Sequence, residues 1–152
     1  MTTKKVWLRF EHIQNGLPTH EFQIDYIRFA DDLFTLKKEK IMEFCNLMIK
    51  EKLPINFRIQ ARVDCIDEEM LISLKDAGCD LIEYGAESGS DKVLKINGKN
   101  ITVKKIKKAV ELTRKVGIEV KFFLIVGLLE EGPEETWDTF KLIKETKPDW
   151  VG

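Results

Sequence analysis

Short strand-like segments and longer amphipathic ones take turns along this chain, and that alternation constrains the fold more than any other feature. Strand starts fall near residues 26, 56, 80, 119 and 149, and each except the last is followed by a helical pattern. Such alternation predicts βαβ units around a parallel sheet. Tyr26 to Ala30 is β-branched or aromatic, and two aspartates follow it. From about Lys38 to Lys52, Ile41, Phe44, Cys45 and Met48 recur at three and four residues as one apolar stripe, with Pro54 beyond. Asn56 to Ala61 alternates as a second strand. Asp67 is placed to cap the next helix, with Met70, Leu71, Leu74 and Ala77 as its buried face and Gly78 as its stop. Asp80 to Tyr84 is the third strand. Thr102 caps a helix striped by Val103, Ile106, Ala109, Val110, Thr113 and Val116, which Gly117 ends. Glu119 to Val126 is the fourth strand, and its apolar second half predicts burial on both faces. Pro133 suits the first position of a last helix carrying Trp137, Phe140 and Ile143.

The fold class expected is therefore α/β, a partial TIM-type barrel with a parallel sheet, four to five βα units of the eight. At 152 residues the chain can bury a core but is short for a closed barrel. The expectation is a single partial barrel domain over residues 1–152, incomplete at both ends, because the chain stops as a strand opens at Asp149.

Charge and composition exclude several functions. With 25 basic and 26 acidic residues, no global field draws the chain to nucleic acid or to an anionic membrane. Lys104, Lys105, Lys107 and Lys108 read as the solvated face of a helix. No apolar run approaches a transmembrane length, and Val6-Trp7-Leu8 is too short for a signal peptide, so a cytoplasmic protein is expected. Cys45, Cys65 and Cys79 have neither disulfide nor metal-ligand spacing and read as buried free thiols. His12 and His20 lie away from the strand ends, and neither reads as a ligand or catalyst. No metal site is expected from these residues.

In parallel α/β folds, ligands bind beyond the carboxyl ends of the strands. Asp31 and Asp32 follow the first strand, Arg62 and Asp64 the second, and Gly85-Ala86-Glu87-Ser88-Gly89-Ser90 the third. Gly127 follows the fourth, with Glu130 and Glu131 beyond. Four loops thus bring ionisable or glycine-rich groups to one rim. Each also has a purely structural reading. The aspartates can start a turn or cap a helix, Arg62 can pair with Asp64, the glycine-rich run can be a tight loop, and Gly127 can simply let the chain turn.

Taken in order, Ile27-Arg28-Phe29-Ala30-Asp31-Asp32-Leu33-Phe34-Thr35, Ala61-Arg62-Val63-Asp64, Ala77-Gly78-Cys79, Gly85 to Ser90, Asp91 to Ile96, Gly117-Ile118 and Val126-Gly127-Leu128 resemble the radical S-adenosylmethionine superfamily. The likeness is to the branch that often carries a cobalamin-binding domain, and it runs from about Tyr26 to Trp137. It implies a small-molecule cofactor, S-adenosylmethionine, and a [4Fe–4S] cluster that reduces it to give an adenosyl radical. It leaves room for cobalamin in the full-length protein. By the resemblance, Asp31 and Asp32 stand near the methionine end of the cofactor and Glu87 and Ser88 near its ribose. Ile125 and Gly127 stand against its adenine, and Arg62 faces the same cavity.

Two departures qualify the resemblance. The family's Cys-x-x-x-Cys-x-x-Cys signature, which holds the cluster, is absent, since the three cysteines stand at 45, 65 and 79. The expectation is a fragment that begins after the cluster loop. It would be inactive alone and in need of a missing N-terminal segment or a partner chain. The second departure is Leu128 to Thr136, where the order of the usual Gly-x-Pro-Gly-Glu-Thr loop is disturbed. Two other readings stand beside this one. One is a cluster-less relative acting as a binding or assembly module. The other is a barrel enzyme using Asp31, Asp32, Asp64 and Glu87 on a divalent cation, with phosphate on the glycine-rich loop. The substrate is not legible.

Overall fold

The structure is a computed structural model that describes residues 26–31, 34–52 and 55–152. Strands β1 (Tyr26–Arg28), β2 (Asn56–Ala61), β3 (Cys79–Glu87), β4 (Glu119–Leu124) and β5 (Trp150–Val151) form one sheet. All pairs are parallel, and the spatial order is the sequence order. The helices are α1 (Lys38–Lys50), α2 (Glu68–Asp76), α3 (Asp91–Ile96), α4 (Val103–Lys115) and α5 (Pro133–Thr146).

Strand order decides the architecture. Parallel crossovers are right-handed, so strands added always on the same side put every connecting helix on one face of the sheet. A doubly wound sheet would need a reversal of order, and there is none among the described strands. The result is the wall of a (βα) barrel. Phe57, Ile59 and Ala61 of β2, Ile82, Tyr84 and Ala86 of β3, and Val120 and Phe122 of β4 point to the helical layer and are buried. Phe44 of α1 meets Phe57 edge-on at 5.4 Å, and the Tyr84 hydroxyl lies 2.7 Å from Thr113 Oγ1 of α4. The intervening residues face the other way, into the barrel interior. There the sheet is polar, carrying Arg28, Arg58, Gln60, Glu83 and Lys121.

Local chemistry sets the boundaries. Asp67 accepts from Met70 N at 2.9 Å and caps α2, Thr102 accepts from Lys105 N and caps α4, and Pro133 opens α5. Gly78 turns with φ +100, and a Cβ there would lie 2.7 Å from the Ile55 carbonyl oxygen, so only glycine fits. Helix α1 stops at Lys50, two residues before the sequence suggests, because Lys52 takes φ +48. Pro54, His12 and His20 lie outside the described residues.

Two sequence expectations, on the fourth strand and on the cysteines, differ from the fold. The end of the fourth strand is not buried on both faces, since Ile125 is 44% and Val126 82% exposed where the strand leaves the sheet. Trp137 and Phe140 lie on the exposed face of α5, which packs through Thr139, Leu142 and Thr146. Cys45 and Cys79 are buried, but Cys65 is only half-buried. No helix of the described residues is long and apolar enough to cross a membrane.

Candidate functional site

Beyond the carboxyl ends of β2, β3 and β4 lies a cavity of about 580 Å³. Its walls are Gln60 and Arg62 from β2 and the residue after it, Glu83, Gly85 and Glu87 from β3, and Phe123 and Ile125 from β4 and its exit. The turn from Asn97 to Ile101, between α3 and α4, closes one side. Apart from Ala61 at the end of β2, the sheet residues in that wall belong to the inward-facing set, so the pleat itself aims them.

Glu87 is the centre of the arrangement. Its backbone is left-handed, φ +61, a conformation that costs about 1–2 kcal/mol in a residue with a Cβ. The strand register shifts at this point, between Gly85 and Glu87, and Ile125 N donates to the Glu87 carbonyl at 3.0 Å. Neighbouring β4 therefore holds the bend. The bend carries the Glu87 side chain into the cavity wall, where Oε1 pairs with Lys99 Nζ at 2.6 Å. The other oxygen, Oε2, is buried without a hydrogen-bond partner among the described residues. Such an atom is rare in a folded protein and calls for a donor.

Arg62 forms a bidentate pair with Asp64, Nε to Oδ1 and Nη2 to Oδ2, both 3.0 Å. The pair holds the Asp64 carboxyl below the usual range, and raises Arg62, because each charge is hydrogen-bonded to the other. With the pair made, Asp64 is not a free ligand, and Arg62 still borders the cavity through a side chain 48% exposed.

The other sequence candidates separate. Ile125 lines the cavity beside Phe123. Asp31 is exposed after β1, outside the cavity wall, and Asp32 lies outside the described residues. Ser88 is fully buried behind the rim, where its hydroxyl accepts from Ser90 N at 3.1 Å and lies 3.5 Å from Thr139 Oγ1. It organises the loop and does not reach the cavity. Gly127 takes φ +84, and its N–H donates to Glu131 Oε2 at 2.6 Å, as does Leu128 N at 3.1 Å. Glu131 therefore stabilises the turn after β4.

Gln60, Glu83 and Phe123 were not singled out by the sequence. Counting back two residues at a time from Arg62, Glu87 and Ile125 finds them, because residues two apart share a strand face. Lys99 had no such signal, since it comes from the turn between two helices.

No group of three metal-ligating side chains occurs among the described residues. Asp64 and Glu87, suggested as cation ligands, are turned to Arg62 and Lys99.

The sequence profile of the radical SAM superfamily matches residues 2–143. An uncharacterised methyltransferase of Pyrococcus horikoshii is 31% identical over 87% of this chain and 29% of its own length. The anaerobic magnesium-protoporphyrin IX monomethyl ester cyclase of Rubrivivax gelatinosus is 30% identical over 85% of this chain and 24% of its own. The chain thus spans 24–29% of the length of these two relatives. Among solved structures, the cobalamin-dependent S-adenosylmethionine radical enzyme OxsB superposes with a TM-score of 0.78 at 24% identity, covering 88% of this chain and 21% of that one. The radical S-adenosylmethionine methyltransferase TsrM of Kitasatospora setae superposes at 0.75 with 17% identity, covering 93% and 28%. The parallel wall, the rim cavity and the profile agree: the chain belongs to the radical SAM superfamily, whose cofactors are S-adenosylmethionine and a [4Fe–4S] cluster.

Proposed function

We propose that this chain supplies the S-adenosylmethionine-binding wall of a radical SAM enzyme. The observation that carries the reading is the orphaned Glu87 Oε2 in the wall of the rim cavity. A vicinal diol is the chemistry it lacks, because a ribose hydroxyl donates to a carboxylate oxygen that nothing else reaches. Phe123 and Ile125 offer an apolar surface for a planar base. Arg62 and Lys99 offer cations to a carboxylate, and Asp31, with Asp32 after it, offers the opposite charge to an ammonium or sulfonium group. Gly85, without a side chain, leaves room between them.

When bound, S-adenosylmethionine is the family's source of an adenosyl radical. The residues here bind and orient it and keep its ribose fixed. The cluster is a different matter. Cys45 and Cys79 are buried thiols on the helical side of the sheet and Cys65 stands alone, so this chain's cysteines do not fit a [4Fe–4S] group. No electron-transfer step is assigned to these residues.

The test is calorimetric titration of the purified 152-residue chain with S-adenosylmethionine. Saturable binding that weakens about tenfold in Glu87→Gln is expected, the size of a lost hydrogen bond to a charged group. No binding by a folded chain, or equal binding by the variant, removes the proposal.

A further inference from the structure

Below the rim, the inward face of the sheet carries a second group of charges, of which Glu83 alone also lines the cofactor cavity. Glu83 is 1% exposed and meets three cations. Arg28 donates to Oε2 through Nη2 at 3.1 Å and Nε at 3.3 Å. Lys121 Nζ lies 3.4 Å from Oε1, and Arg58 Nη1 lies 3.9 Å from the same oxygen. Among the described residues, one buried carboxylate therefore meets three positive side chains drawn from three strands. Arg58 is the least well served. Among the described residues, its ion pair to Glu83 is the longest of the three, and its Nε is buried with no hydrogen-bond partner. A buried guanidinium N–H without an acceptor costs about 1–3 kcal/mol.

Arg58 and Lys121 also line a separate hollow of about 590 Å³ toward the amino ends of the strands, with Tyr26, Asp80, Glu119 and Trp150. Asp80 and Glu119 do not neutralise the cations at hydrogen-bond range. Asp80 accepts from the Tyr26 hydroxyl at 2.7 Å, and Glu119 from Trp150 Nε1 at 3.0 Å. The hollow is thus lined by two cations, two carboxylates and aromatic rings.

We propose that Arg58, with Lys121, binds the anionic oxygen group, carboxylate or phosphate, of a small molecule held in the barrel interior. Such a group supplies the acceptor that Arg58 Nε lacks. The two carboxylates in the same lining disfavour a second negative group on the ligand. As a binding site this stands independently of the cofactor. As the place of a substrate's anionic group, it rests on the reading of the rim cavity given above.

The test uses the full 152-residue chain, labelled with nitrogen-15 and titrated separately with sodium phosphate, sodium acetate and glycine. Chloride keeps the ionic strength constant. Saturable amide shifts centred on β2 and β4 around Arg58 and Lys121 are expected with at least one anion. Arg58→Gln should weaken that affinity about tenfold, and Lys121→Met should weaken it by a smaller factor. Lys121→Met leaves Glu83 paired to both arginines, so it decides the matter if Arg58→Gln does not fold. Response to phosphate alone assigns a phosphate ester, to acetate a carboxylate, and to glycine over acetate a ligand with an ammonium end. Non-saturating shifts spread over surface lysines, or wild-type affinity in both variants, overturn the proposal. The same samples are titrated with S-adenosylmethionine. Anion binding without cofactor binding removes only the cofactor reading, and the converse removes only this one.

Discussion

Lys99 and Glu87 are joined at 2.6 Å through one carboxylate oxygen, while the other oxygen of the same carboxylate is buried without a partner among the described residues. Glu87 makes this contact from a left-handed backbone that glycine adopts without cost. Function and stability therefore pull on this residue in opposite directions. Glu87→Gly should leave the fold about 1 kcal/mol more stable than Glu87→Ala, since both lose the carboxylate and only alanine keeps the strain. Both should lose S-adenosylmethionine affinity alike. Urea denaturation compares the two folds. Equal stability of the two variants would mean that the backbone relaxes out of φ +61 when the side chain is removed.

Asp67 links two helices. It caps α2 through Met70 N and receives Lys38 Nζ of α1 at 2.8 Å. The Lys38 bond, and then the Met70 N–H, hold its carboxyl below the usual range. A depressed folded-state value means that the stabilisation is present above the unfolded value, about 3.9, and is lost as pH falls through the folded one. Asp67→Ala should cost about 1 kcal/mol at neutral pH. The gap between wild type and variant should close as the solution is acidified below about pH 4. A gap constant with pH would show that the carboxylate form is not what stabilises the cap.

The three thiols should separate by reactivity. Burial pushes the Cys45 thiol up to about 12 and Cys79 higher still, which leaves neither with a thiolate to react at neutral pH. Cys65, half-buried in the turn after β2, is the accessible one. Labelling of the native chain with a thiol-specific disulfide reagent should modify one cysteine quickly, and mass spectrometry should place it at Cys65. Cys65→Ser should remove the fast phase. Fast modification of Cys79 would mean that the lower edge of β3 opens readily.

The frame of this fold was legible because its signals are local. Alternation marked β2, an apolar stripe marked α1, and Asp67, Thr102, Gly78 and Pro133 set helix ends through chemistry that needs only near neighbours. Rim residues were legible for a related reason, since strand ends and turns are where polar groups interrupt apolar runs. Two kinds of residue were not. Arg58, Glu83 and Lys121 lie within strands, and only the lateral register brings them together: Arg58 pairs with Leu81, and Glu83 with Lys121. Lys99 reaches Glu87 from a turn whose path depends on how α3 and α4 pack. The exposure of Trp137 and Phe140 was equally hidden, because the face of α5 that packs is fixed by Thr139 against the β3 loop.

That packing yields the sharpest steric prediction. Gly89 N donates to Thr139 Oγ1 at 2.8 Å, and a Cβ on Gly89 would lie 2.3 Å from the Asp138 carbonyl oxygen and 2.5 Å from Thr139 Cα. These are backbone atoms of α5, so no side-chain rotation relieves the clash. Gly89→Ala must push α5 off the loop that follows Glu87 and should cost about 1–3 kcal/mol, as overpacking does. Thr139→Val keeps the shape but leaves the buried Gly89 N–H without an acceptor, which should also cost about 1–3 kcal/mol. Once the clash has displaced α5, the hydrogen bond is already lost. The double variant should therefore be less destabilised than the sum of the two, with a coupling of about 0.5–3 kcal/mol by urea denaturation. Strict additivity would show that the loop and α5 yield independently. In that case the position of Glu87 would not depend on α5, and both single variants should keep wild-type affinity for S-adenosylmethionine.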